Sequence, residues 1–358
     1  MSKERTNGGS DRWGRTGRRA FIRSAVAGTA LVGGSGMVAG APGNDPGGKD
    51  GGNDGGGKGF PPEGVTEYGD SVDLGDGEVR TFTTETPSGN PKYHGVEFER
   101  SALEGLPSAD ELGDVIGDED DDTYDDKYGK SGEALTVHFK NSLEFFVPFP
   151  DAEGTPFTFL GLNWNPGGHP GGVGAWEKPH FDIHFNTLET ETVDAIEGPQ
   201  LPPYDEITDR NDDGVPIAID SALEESQIPA GYARSPPVAA EERYITDMGE
   251  HTAPIDAPEL PGAPGESGDP DAFSNTLIQG FVGVDDHGDE LGSNPQLAFV
   301  EPMITEEFLK GHTGTEEYEI PQPAVYPYED THHPTGYSVR DVPSRDSIVV
   351  AIEDFEEV

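Results

Sequence analysis

Short apolar runs, broken by turns rich in proline and glycine, carry most of the hydrophobic pattern. Glu78–Thr84 alternates around Val79 and Phe82, and Tyr93–Phe98 has the same strand-like content. Ala134–Phe139, Leu143–Phe149, Phe157–Leu162, His180–Leu188, Leu277–Val284, Leu297–Val300 and Ser347–Ile352 follow. Helical periodicity is scarce. Ser101–Leu106 reads as one turn with Ser101 as its cap, and Thr305–Lys310 as a short helix capped by Thr305, with Phe308 and Leu309 inward. Many short strands between turn signals predict a mostly β fold, an antiparallel sandwich or barrel with few short helices and long acidic loops.

The segments outside this pattern divide the chain. Residues 15–23 place Arg18 and Arg19 before a small-residue apolar stretch, Ser24–Val38, and then Ala39-Gly40-Ala41. This order fits a twin-arginine signal over 1–41, which implies export to the cell surface or beyond. The stretch is too glycine-rich to read as a span of about 20 apolar residues, and no later segment reads as one. Residues 42–64 read as a Gly-rich flexible linker. Residues 65–358 read as a single β-rich domain with insertions near 189–243 and 252–271, and 113–130 as an acidic loop.

Charge narrows the function classes. Lys and Arg number 22 against 70 Asp and Glu, a net charge of −48 over 358 residues. Binding nucleic acid through a basic surface is therefore excluded as an expectation, because phosphate contacts need clustered cations. So acidic a chain, with nine lysines, has the look of a halophilic archaeal protein whose self-repulsion is screened by salt. With no cysteine there is no disulfide, thiolate metal site or cysteine nucleophile. No phosphate-binding glycine loop, GxSxG elbow or HExxH helix occurs.

The segment with chemical promise is Gly161–Thr187, which ends in Pro179-His180-Phe181-Asp182-Ile183-His184-Phe185. On a strand, His180, Asp182 and His184 share one face, and Phe181, Ile183 and Phe185 share the other. Imidazole nitrogen suits zinc, copper, iron or nickel, so the row is a candidate transition-metal site that needs ligands from elsewhere. His251, in a loop-like Met-Gly-Glu-His passage, is one candidate. Glu301 is another, expected at a strand rim because Pro302 follows it, and His169 is a third. A purely structural row, its histidines bonded to neighbours, explains the same pattern. Separately, Asp209, Asn211, Asp213, the Val215 carbonyl and Asp220 fit an oxygen-ligand calcium loop, against an ordinary Asp/Asn/Gly turn.

The run WNPGGHPGGVGAWEKPHFDIHF resembles a Thermus-type family of exported proteins marked by WNPxGHxPPGxYxxPHFDxHF. Three further passages are similar in the same order, the last ending in EPMIT at 301–305. Gly171 and Trp176 depart from that pattern, where the family has proline and tyrosine. The resemblance implies a mostly β domain with no established activity. It singles out His180, Asp182, His184, His251 and Glu301 as matches to motif positions. Three functions stay open on the sequence. One is an exported metal-binding protein. The second is a metal-dependent hydrolase or hydratase, with Glu301 or His251 moving protons. The third is a metal-free envelope or assembly module, with homo-oligomers as one form.

Overall fold

The computed structural model describes residues 59–111, 142–150, 154–168, 174–194, 196, 223–235, 244–245, 248–260, 268–284, 292, 294–324, 326 and 330–358. The signal segment, the 113–130 loop, Ala134–Phe139, His169 and the calcium-loop positions 209–220 lie outside these residues.

Two antiparallel sheets face each other. The first is built from β1 (Thr66–Leu74), β2 (Gly77–Glu85), β3 (Pro91–Glu99), β12 (Thr315–Glu319), β13 (His332–Val342) and β14 (Ser347–Glu357), in the order β1-β2-β3-β14-β13-β12. The second contains β4 (Leu143–Pro148), β5 (Phe159–Asn165), β6 (His180–Asn186), β7 (Tyr232–Ser235), β9 (Gly249–Pro254), β10 (Asn275–Val284) and β11 (Asn294–Thr305). Its order is β4-β5-β6-β11-β10-β9-β7, with β8 (Tyr244–Ile245) pairing β9. Both sheets keep open edges, so the mostly β expectation resolves to a sandwich. The main core lies between them. Val79, Val96, Phe98, Ile348 and Val350 of the first sheet meet Leu160, Leu162, Phe181, Ile183, Phe185 and Val300 of the second. The Phe98 and Phe181 rings meet edge to face at 5.4 Å. Period-two alternation decides which side of each strand enters this layer.

The outer faces are covered as well. On the first sheet, Phe60 packs on Phe82 and Tyr93, with ring centroids 6.3 and 5.0 Å away. The Arg340 guanidinium lies 4.6 Å from the centre of the Phe60 ring and bonds Glu353 with both carboxylate oxygens. This corrects the linker reading: at least Phe60 and Pro61, both buried, belong to the folded body, because they shield apolar and paired ionic groups. On the second sheet, α1 (Thr190–Asp194) and the segments around Trp176, Met248 and Phe273 cover the outer face.

Other boundaries also differ from expectation. The turn after β3 is a 3-10 helix, Arg100–Leu103, so Ser101 lies inside it and makes no cap. The helix α2 (Glu306–Gly311) does start at Thr305, whose hydroxyl accepts from the Phe308 amide at 3.3 Å. Leu309 is buried and Phe308 packs partly against the core. The expected 252–271 insertion begins inside β9, and Glu259 beyond it is buried. The 189–243 segment contributes α1 and β7. Among the described residues, no helix is long and apolar enough to cross a membrane.

Candidate metal centre

The polar row lies on the outer face of the second sheet, opposite the main core. β6 sits between β5 and β11, so both flanks of the row are filled by neighbouring strands. On the β5 side, Asn165 faces His180, Asn163 faces Asp182 and Gly161 faces His184. On the β11 side, Thr305 faces His180 and Met303 faces Asp182; the same register carries Glu301 to His184. Alternation on all three strands therefore aims these groups outward together.

Pro302 does not end β11. The strand continues to Thr305, with Pro302 paired to Leu277 on the β10 side. The recorded β6 pairs skip from Val300 to Met303, so the missing proline N–H falls at that interruption. Glu301 is consequently a buried mid-strand residue, not a rim residue. His251 is likewise not in a loop. It lies on β9 opposite Gly280, in the cross-strand row of Phe299. The Phe299 ring stands 4.7 Å from the His184 ring and 5.6 Å from the His251 ring, so the two imidazoles share one aromatic neighbour although their strands are three places apart in the sheet. The close contacts thus join His180 to Asp182 and His184 to Glu301, while His251 reaches His184 only through the Phe299 ring.

Two contacts define these pairs. His180 Nε2 lies 3.1 Å from Asp182 Oδ1, and His184 Nε2 lies 3.4 Å from Glu301 Oε1. All four side chains are buried. The contacts come as pairs. Among the described residues, no three His, Asp or Glu side chains already close around one point as a metal cage.

Hydrogen bonds fix several members. His180 Nδ1 donates to the Lys178 carbonyl oxygen at 2.6 Å. A carbonyl only accepts, so Nδ1 holds the proton, and in the neutral ring Nε2 presents a lone pair to Asp182. Asn165 Nδ2 donates to Asp182 Oδ2 at 2.9 Å, which holds that carboxylate in place. Glu301 Oε2 is buried and accepts no hydrogen bond from the described residues. Burial pushes the Glu301 carboxyl well above the ordinary carboxylate range, and the charge of Asp182 adds to the effect. Apolar groups surround the row: Phe273 meets the His180 ring edge to face at 5.2 Å, and Phe299 meets His184 the same way.

Asn163, Asn165 and Gly161 escaped the sequence reading. Their signal was present, since Gly161-Leu162-Asn163-Trp164-Asn165 alternates with the same period as the histidine strand. The calcium-loop residues Asp209, Asn211, Asp213, Val215 and Asp220, and His169, lie outside the described residues. The chain matches no protein-family model, no curated protein and no solved structure.

Proposed function

We propose that His180, Asp182, His184 and Glu301 hold one transition-metal ion, zinc being the first candidate, in an exported, salt-adapted protein. The observation that carries this reading is the His180–Asp182 contact. With Nδ1 committed as a donor to the Lys178 carbonyl, Nε2 and Asp182 Oδ1 confront each other as two acceptors at 3.1 Å. Such a contact needs a proton between the atoms, carried by the ring or by the carboxyl, or a cation. A divalent cation answers both this contact and the placement of two carboxylates behind apolar cover, where uncompensated charge is costly.

Geometry supports the cation. A tetrahedral ion with bonds of about 2.0–2.1 Å separates neighbouring ligands by roughly 3.3 Å. Each nitrogen–oxygen spacing is of that size within its own pair, and one shared ion requires the two pairs to lean together. Metal-bound histidines commonly donate their other N–H to a backbone carbonyl, and ligating carboxylates are commonly hydrogen-bonded in turn. Lys178 and Asn165 supply those partners. Two imidazoles and two carboxylates suit zinc, and also copper, iron or nickel. Export by the twin-arginine route, which carries folded proteins, agrees with a metal seated before translocation.

The test is metal analysis of the full chain, purified in high salt without a metal-affinity column and then equilibrated with zinc and desalted. About one ion per chain is expected for a single four-ligand site. His180→Ala/His184→Ala and, separately, Glu301→Gln should lose most of it while keeping the β circular-dichroism spectrum. A metal-free parent, or a double variant that keeps its ion, overturns the proposal and leaves the paired groups as a structural network.

A further inference from the structure

One short segment roofs the His180 end of the row. Asp269, Pro270 and Asp271 are exposed, a 3-10 turn runs over Pro270–Ala272, and Phe273 turns inward and is buried. The Phe273 ring meets the His180 ring edge to face at 5.2 Å and belongs to an apolar cluster with Trp176, Ile278 and Met303. Met303 stands opposite Asp182 on β11, so the same apolar cover reaches that carboxylate. Two residues separate the exposed Asp271 from the ring that covers His180, so the cover at this end is one segment deep.

The bonds inside this segment travel with it. The Ala272 amide donates to the Asp269 carbonyl oxygen at 2.8 Å, and the Phe273 amide to the Pro270 carbonyl oxygen at 3.2 Å. Its ends are anchored: the Asp269 amide donates to the Pro258 carbonyl oxygen at 2.9 Å, and the Ser274 carbonyl oxygen accepts from the Thr305 amide at 2.9 Å. Between those anchors, among the described residues, one side chain supplies the hydrogen bonds to the body. Lys178 Nζ donates to the Asp271 carbonyl oxygen at 2.6 Å and to that of Phe273 at 3.1 Å. Lys178 is itself held firmly, since its own carbonyl takes the His180 Nδ1 proton and the next one, Pro179, accepts from the Glu306 amide at 3.0 Å. One residue thus ties the imidazole to its strand and the roof to the imidazole's neighbourhood.

We infer that Asp269–Phe273 is a hinged flap over the His180 end, latched by the Lys178 ammonium, and that its opening sets the rate at which an ion enters and leaves the row. The gating of an ion rests on the metal reading above, whereas the flap itself does not. His180 and Asp182 are buried, so nothing reaches them unless part of their cover moves. A short segment with few bonds to the body opens at lower cost than the sheet beneath it. The two latch bonds are charge-assisted and fall on either side of Ala272, so losing them frees the residue that carries the covering ring. Opening leaves the Lys178 carbonyl in place, so the His180 ring keeps its orientation while the roof lifts.

The experiment uses the full chain in high salt and two probes. In the metal-free chain, diethyl pyrocarbonate labels accessible imidazoles, and peptide mass spectrometry reads the rate at each histidine. Lys178→Met should label His180 about tenfold faster than the parent, the size of effect that follows from losing a charge-assisted bond. His184, under Phe299, and the half-exposed His332 should keep their parental rates. Phe273→Ala, with the lysine in place, should also speed labelling of His180. In the zinc-loaded chain, Lys178→Met should release its ion to excess EDTA faster by a similar factor, at unchanged stoichiometry. An unchanged His180 rate in Lys178→Met overturns the latch, and the same result in Phe273→Ala overturns the roof. A parallel rise at His184 in Lys178→Met overturns the flap in favour of opening of the whole sheet. Faster labelling with zinc release at the parental rate overturns the flap as the ion's route. A parent that binds no zinc overturns the proposed function instead, and the labelling rates still decide the flap.

Discussion

Gly280→Ala is the sharpest test of how tightly the sheet surrounds the row. A Cβ at position 280 would lie 2.6 Å from Phe299 Cε2 and closer still to Cζ and Cε1. The ring cannot swing away freely, since it is 1% exposed and bears on both His184 and His251. Overpacking of this kind costs about 1–3 kcal/mol, and contacts this short belong at the upper end, near ~3 kcal/mol. Alanine restricts the unfolded chain relative to glycine, which offsets about 0.4–1 kcal/mol. The expected net loss is therefore about 2 kcal/mol. Urea unfolding in molar salt, read by tryptophan fluorescence and circular dichroism, measures it. Phe299→Leu removes the struck ring edge, so the double variant should be less destabilised than the sum of the singles by about 1 kcal/mol or more. A Gly280→Ala protein within about 0.5 kcal/mol of the parent, or strict additivity in the double variant, would refute the packing argument.

Three further outcomes follow from Arg340, His333 and Thr305. Arg340→Met should cost about 3–5 kcal/mol at neutral pH, because it leaves the Glu353 carboxylate buried without its bidentate partner; denaturant midpoints check this, and a loss below about 1 kcal/mol would show that water reaches Glu353. Burial pushes His333 down to about 3, so the folded ring stays neutral where the unfolded one, near 6.5, takes a proton. Stability from this residue is complete above that unfolded value and falls as pH drops toward 3, by up to about 1.4 kcal/mol per pH unit. His333→Phe, set beside the Phe157 and Tyr326 rings, should flatten the stability–pH curve between those limits, and an unchanged slope would count against the argument. Thr305→Ala removes the cap of α2 and should cost about 1 kcal/mol in thermal or urea unfolding; a neutral result would mean the Phe308 amide finds water instead.

The two-faced character of β6 was legible because it obeys a simple rule: aromatic and aliphatic residues at 181, 183 and 185, polar ones at 180, 182 and 184. Thr305 was legible for a similar local reason, a hydroxyl directly ahead of a helical turn. β9 was not, since Gly-Glu-His-Thr-Ala-Pro has little intrinsic strand preference and is held extended by partners on both sides. β13 hid behind Pro334 and Gly336, although most of its residues are buried. Glu301 stood out in the sequence, but its expected place at a strand rim was wrong. Proline usually marks a strand's margin, but here its lost N–H coincides with a skipped rung, and the strand runs through. A water-sized hollow lined by Phe146, Gly161, His184, Asn186 and Val193 had no local signal at all. Its room comes from Gly161, which meets residues of β4 and β6, a coincidence of register rather than of sequence spacing.

β6 also separates two kinds of selection on neighbouring residues. Its odd-numbered side chains serve the sandwich interior and its even-numbered ones the opposite surface, with only the backbone in common. Change at one set can proceed without disturbing the other, so this scaffold is free to lose, retune or exchange the polar groups of that face while the body beneath stays intact.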